Sequence, residues 1–530
     1  MESTETGADH PTARRRRLLS RTPSRRVLEM IGTAAALGVI PLILLLITGV
    51  IDTQVFNHFA SPLDILRADK LGASTALILI GTAEGVAIAI VIVVVVVGVQ
   101  LSADRYSPRI IDIFVRDRMN TGVIGLFLAS MLYTVWVSIE LKEDYVPQTG
   151  VLVAAILGFI DFALLLPYLR HLFGFMRGEV VIETIHHRAI NLLRKVRASQ
   201  ELTLRHEFAL AIDQITDIAL GSIEEGDAEV GLAAIDSLCQ LLVLEYVPHK
   251  DTFPQAWFRV GHFDLAGASD QVIAETDATR TWVEYKILSR FVDLIGEVQP
   301  YRKEVIRTIA RATRDMGLAA LSHHDEELLQ LVVRFFNTFL RASINQKAAT
   351  LGYAAMNEYR RLAESVAAER PELALTIAAH AIQYGRAFDA AGMPFALPTA
   401  YEDVSELCQA ARSSEHALNL ARLLAGNLAE LRTAASTTAQ KGALNSVLKL
   451  CLWAAGHDQE ALLEAALDGV TRMPSDWIGE LLDRMQTSDR KRFWEVSDRV
   501  AAFEYVEPEL RPQIARPRER TMLAARPAPG

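Results

Sequence analysis

The chain has 530 residues, 51% of them hydrophobic, a formal net charge of -10 and three cysteines. That length excludes one compact domain, and the acidic balance excludes a general nucleic-acid binder. Cys239, Cys408 and Cys451 are too far apart and odd in number for a disulfide framework or a zinc knuckle.

Apolar content is dense before residue 175 and periodic afterwards. This pattern predicts an all-α protein: a four-span transmembrane helical domain followed by a cytosolic helical domain resembling an α-solenoid. Residues 1–26 read as a disordered basic tail, rich in arginine and too poor in apolar residues to fold.

A helix needs roughly 20 mainly apolar residues to cross a bilayer, because its backbone polar groups find no water there. Four stretches qualify, at 27–51, 76–101, 122–141 and 151–173, which sets a transmembrane domain of 27–175. Arginines collect before the first span, after the second (Arg105, Arg109, Arg116, Arg118) and after the fourth (Arg170, Arg177, Arg188, Arg194). The intervening loops carry Asp52, Asp64, Asp69, Glu143 and Asp144. Positive flanks stay on the cytoplasmic side, so both termini are expected in the cytosol, beside the anionic lipid of the inner leaflet. A cleaved signal is the rival reading of the start, but no small-residue cleavage site follows the first run.

Two acids lie inside spans, Glu84 in the second and Asp161 in the fourth. Each costs on the order of 3 kcal/mol at a helix centre, so such an acid faces the bundle interior, a partner or water. Both helices run in the same direction and the two carboxyls fall at similar depth, so they are able to meet. Gly81 and Gly85 frame Glu84 in a small-xxx-small pattern that lets helices approach closely. Two readings stay open. The acids are protonated and satisfied by hydroxyls such as those of Thr82 or Tyr133, or they line a proton or cation path.

The segment VQLSADRYSPRIIDIFVRDRMN, followed by TGVIGLFLASMLYTVWV, places Ser107 and Pro108 at a helix start, where a hydroxyl cap and a residue without N–H both fit. Apolar Ile110, Ile111, Phe114 and Val115 then alternate with Arg109, Asp112, Arg116 and Arg118. That composition suits a helix at the headgroup level, or else a turn packed on the cytosolic domain. The segment resembles the predicted bacterial membrane proteins of domain-of-unknown-function family 2254. The residues that carry the likeness are Ser107, Pro108, Arg109, Phe114, Asp117, Arg118, Gly125 and Phe127. A second stretch, IALGSIEEGDAEVGLAAIDSL, is similar to that family's Ala-Leu-Ser…Asn-Asp-Pro…Ile-Asp-x-Leu pattern at Ser222, Asp227, Ile235, Asp236 and Leu238, with Gly226 and Ala228 replacing the Asn and Pro. The resemblance covers roughly 27–250 and implies a topology in the inner membrane, with no activity attached.

Residues 176–208 read as a juxtamembrane helix with a stripe of Ile182, Ile185, Ala189, Leu192 and Val196. Such a stripe fits a stalk joining several copies around one axis, or ordinary packing within the chain. From 209 to 506 amphipathic helices separated by short breaks predict an irregular helical array with a face for a protein partner. Residues 507–530 are rich in proline and arginine and are expected to lack a fold. The run His323-His324-Asp325-Glu326-Glu327 is metal-like in composition, but adjacent helical ligands diverge, so a solvated helix start is the better reading. No phosphate loop, HExxH, GxSxG or paired CxxC is present, so the sequence makes no case for an enzyme, a metal site or a cofactor. The expected function is an oligomeric proton or cation pathway regulated by its cytosolic helices. The alternative is a membrane-anchored scaffold or sensor.

Overall fold

The computed structural model describes residues 47, 69–105, 118–143, 145–175, 177–199, 201–297, 303–489 and 504–524. Among them there are eighteen α-helices and no strand. The chain divides into two compact units, Met1–His187 and Arg188–Gly530.

In the first unit α1 (Lys70–Arg105), α2 (Arg118–Glu140) and α3 (Gln148–Phe175) each pack on the other two. The expected span at 27–51 lies outside the described residues, apart from Ile47. At 36 residues α1 is about 54 Å long, more than the roughly 30 Å of hydrocarbon, so it outruns the expected 76–101 at both ends. Only 22–28% of the most apolar window of each helix is buried inside the chain. Their outward faces instead expose Ile78, Leu79, Ile90, Leu132, Trp136, Ile139 and Phe159, the surface that lipid covers. Most of the buried positions fall three, four or seven apart, among them Val123, Phe127, Ser130, Thr134 and Val137 on α2, and Val151, Ala154, Gly158, Asp161 and Tyr168 on α3. That is the spacing of left-handed helix packing in membranes.

A further stretch, Ala228–Thr252, is also long and apolar enough to cross a membrane. It is 61% buried, and its Asp236 is paired with Arg311 at 3.5 Å, so its apolar content serves the core of the second unit.

Helix α4 (Gly178–Ser199) crosses the boundary between the units. Its stripe of Ile182, Ile185, Ala189, Leu192 and Val196 is at most 5% exposed. These residues are buried, as packing within the chain requires.

The second unit continues through α5 (Leu204–Glu224), α6 (Ala228–Gln240), a π turn and two 3-10 turns to Phe258. Next come α7 (Asp270–Ala278), α8 (Trp282–Glu297), α9 (Lys303–Ser322), α10 (Glu326–Asn345), α11 (Ala349–Val366) and α12 (Pro371–Ala390). The last are α13 (Ala396–Ala410), α14 (Ser414–Ala434), α15 (Thr437–Gly456), α16 (Glu460–Val470), α17 (Ser475–Thr487) and α18 (Ala515–Ala524). From α9 to α13 each helix packs on the next and on the one after, as stacked helix pairs do.

The repeat lies in the turns. Six of them place one residue in the left-handed region: Gly226, Arg280, His324, Lys347, Gly392 and Asp458. In each, the following N–H donates to the carbonyl five residues back at 2.8–3.0 Å, closing the same Schellman turn. Because the left-handed residue is a different type at most of these turns, no sequence period betrays them.

Residues 507–524 correct the expectation of a tail without fold. A 3-10 turn at Arg511–Ile514 and then α18 pack on α15 and α17. Arg518 pairs with Asp483 at 2.5 Å and Arg520 with Glu464 at 2.8 Å, while Leu510 sits where any side chain at Gly456 would be. Arg516, Arg518 and Arg520, which suggested disorder, are paired with acids of earlier helices.

Candidate functional site between three apolar helices

Glu84 on α1 and Asp161 on α3 are both 0% exposed, although the helices carrying them are mostly bare. Ser130 and Thr134, one turn apart on α2, are the hydroxyls nearest Glu84, and both are buried. The Ser130 hydroxyl donates to Glu84 Oε1 at 2.6 Å. Asp161 is approached by Ser130 and by Glu84. Asp161 is thus within electrostatic reach of Glu84, with Ser130 beside both. Glu84 Oε2, both oxygens of Asp161 and Thr134 Oγ1 are buried without a hydrogen-bond partner.

Glycine explains how so much polarity fits. A Cβ at Gly158 would lie 3.3 Å from Glu84 Oε1 and 3.0 Å from Ile80, so the missing side chain on α3 is the space the carboxyl occupies. Gly81 and Gly85 face α2 at ordinary contact distance, 3.5 Å to Thr134 and 3.8 Å to Met131. A Cβ would fit at either position, so these glycines line the contact with α2 without being required for it.

Apolar layers close the polar layer on both sides. Ala73, Leu77, Val137, Val151 and Ala154 form one, and Ala87, Ile88, Val91, Val123, Phe127 and Tyr168 the other. Their centres are about 21 Å apart along α1, with Glu84 between them. Beyond the second layer the Tyr168 hydroxyl donates to Asn120 Oδ1 at 3.2 Å and ties α3 to the start of α2. No Lys, Arg or His occurs from Leu71 to Asp104, from Met119 to Leu141 or from Gln148 to Leu169.

Thr82 and Tyr133, the hydroxyls expected beside the acids, are elsewhere. Thr82 is exposed, and Tyr133 packs on the cluster around Leu77. Ser130, Thr134 and Gly158 are the site residues that sequence reasoning missed. The signal was present in the four-residue spacing of Ser130 and Thr134, but in a helix apolar all round a stripe of this kind does not stand out.

The remaining candidates are structural or undescribed. Ser107, Pro108, Arg109, Phe114 and Asp117 lie outside the described residues, and Arg118 is the first residue of α2. Ser222 is buried and donates to the Ile218 carbonyl of its own helix at 2.6 Å. Asp227 caps α6 by accepting from Val230 N–H, and Asp236 meets Arg311. His324 is a left-handed turn residue, exposed like His323, while Asp325 caps α10 and pairs with Lys250. His187 lies 3.9 Å from Glu183 on its own helix. Among the described residues no group of three or more His, Cys, Asp or Glu is placed to hold a metal. All three cysteine thiols are pushed well up by burial, so they are poor nucleophiles. A cavity of about 570 Å³ in the second unit is lined by Lys286, Arg290 and Arg334, each already paired with Asp213, Asp293 or Glu275.

No curated protein matches the chain. Among solved structures it is similar to one described as "Circular tandem repeat protein with novel repeat topology and enhanced subunit contact surfaces", at 13% identity over 86% of this chain and 97% of that one. The TM-score is 0.26, too low to carry an argument about fold. Residues 28–211, which include α1 to α3 and both buried acids, match the family of predicted membrane proteins DUF2254, the family whose pattern Ser107 to Arg118 resembles.

Proposed function

We propose that this protein is a multi-pass protein of the inner membrane, with both termini in the cytosol, that carries protons or cations through the layer formed by Glu84 and Asp161. One observation carries the reading: two carboxyls, fully buried between apolar helices, have three of their four oxygens without a partner and, among the described residues, no basic side chain along the apolar stretches of those helices. An ionisable residue inside a membrane-spanning segment is costly enough to point to a functional role, ion and proton paths among them. The apolar layers on either side make this arrangement an occluded one, so transport requires each to open in turn. The second unit, an array of helix pairs, is the regulatory part in this reading, and the working form is an oligomer.

The test is flux through liposomes containing the full chain, read with a pH-sensitive dye and with cation-selective dyes. Flux is expected for the native protein and is lost in Glu84→Gln and Asp161→Asn; equal flux in the variants overturns the proposal. Native liposomes that pass neither protons nor cations favour the alternative, a membrane-tethered helical array that binds a cytosolic protein.

A further inference from the structure

We infer that Glu84, Asp161, Ser130 and Thr134 form a dehydrated site for one hard divalent cation, held by oxygen ligands alone. The inference rests on the reading of this layer as the functional site and names its ligand.

The donor set is the first argument. Two carboxyls and two hydroxyls bring six oxygens from three helices to one buried place, and no sulfur or imidazole. All-oxygen sets of about six select magnesium, calcium or manganese over zinc or copper. Four of the six oxygens have no hydrogen-bond partner, and Ser130 uses only its hydrogen, which leaves its lone pairs free to ligate.

Charge is the second. The Ser130 hydroxyl donates to Glu84 Oε1 at 2.6 Å, so the proton of that contact comes from the serine and the carboxyl oxygen is the acceptor. Among the described residues no Lys, Arg or His lies along the apolar stretches of α1, α2 or α3, so ionising both carboxyls would leave two negative charges in a setting where one is already costly. A divalent cation neutralises both in one step, whereas a monovalent one leaves a charge behind. Any proton held by either carboxyl is released as the cation enters, so binding weakens with acid.

Space is the third. Gly158 leaves the room in which the Glu84 carboxyl sits, and the apolar layers exclude the water a hydrated ion would keep.

Purified full-length protein in detergent, stripped with EDTA, is titrated with magnesium, calcium, manganese or sodium chloride at pH 7.5, following heat release and thermal unfolding. One equivalent of a divalent cation per chain should bind saturably and raise the unfolding temperature, and sodium should not replace it. Glu84→Gln and Asp161→Asn should abolish the effect, and the near-isosteric Thr134→Val should weaken it at least tenfold while keeping the native helical circular dichroism. Should the acid variants fail to fold, Thr134→Val alone decides. No saturable divalent effect, one unchanged in the variants, or a response to sodium alone overturns the inference. Proton flux without cation binding sinks this inference and spares the proposed function; cation binding without flux does the reverse.

Discussion

Across the interface of α1 and α2 the Ser130 hydroxyl donates to Glu84 Oε1 at 2.6 Å, while Gly158 of α3 closes the other side of the same carboxyl. Removing the donor and filling the gap should therefore act differently. Ser130→Ala is expected to destabilise the bundle by about 0.5–2 kcal/mol, the range of a polar contact between membrane helices. Gly158→Val should cost about 1–3 kcal/mol, because Ile80 and the carboxyl must both move. Unfolding in mixed detergent micelles measures both, and a Gly158→Val protein as stable as the native one would contradict the packing described.

In the second unit Lys250 bridges Glu284 and Asp325, each at 2.6 Å, and Glu284 is fully buried. Burial pushes the Glu284 carboxyl up while Lys250 opposes that shift, and the two acids hold the Lys250 ammonium above its ordinary range against burial. Lys250→Met leaves two facing acids without a cation. The expected loss is about 3–5 kcal/mol, and the double variant Lys250→Met with Glu284→Leu should recover part of it. Denaturant unfolding followed by tryptophan fluorescence reports on this directly, since Trp257 and Trp282 are in the same buried aromatic cluster with Phe208.

Helices α14 and α16 cross with almost no gap. A Cβ at Gly469 would fall 2.6 Å from both the Cα and the carbonyl oxygen of Ala425, atoms of the backbone that cannot rotate away. Gly469→Ala should destabilise by about 1–3 kcal/mol, although alanine favours the helix itself by about 1 kcal/mol. A lower denaturation midpoint with unchanged helical content is the expected outcome; a gain in stability would count against this crossing.

Burial holds the His380 imidazole below its ordinary value of 6.5. Its Nδ1 faces the Tyr359 hydroxyl at 3.1 Å and the Asn337 amide at 3.2 Å, both able to donate to an unprotonated nitrogen. As pH falls through 6.5 the unfolded chain takes up a proton that the folded chain accepts only at lower pH. The contribution is therefore complete above 6.5 and shrinks below it, down to the depressed folded value. His416, also lowered by burial, acts in the same direction. Unfolding temperatures at pH 7.5 and 5.5 should differ less in His380→Gln than in the native chain.

How much of this was readable beforehand follows from how each feature is encoded. The helices α1 to α3 and their acids were legible because length and apolarity alone specify a segment that satisfies its own backbone in lipid. Gly81 and Gly85 face α2 at ordinary contact distance, whereas the close approach to the Glu84 carboxyl is at Gly158. The inward face of α2 was not legible: Ser130 and Thr134 are modest polar residues in a helix apolar on every face, so nothing marks which side is inward. The fold of 504–524 was hidden for a related reason, since its arginines resemble a solvated tail until Asp483, Glu460 and Glu464 are brought beside them.

The amino-acid sequence by itself determined the class of the protein, a set of apolar helices followed by amphipathic ones, because hydropathy and its period act residue by residue along the chain. Only the tertiary structure decided that Ile182, Ile185 and Val196 are covered within the chain, that Ala228–Thr252 is core, and that Glu84 and Asp161 share one closed layer with two hydroxyls. Those outcomes depend on which faces of distant helices meet, and a helix that is apolar all round carries no local record of its neighbour.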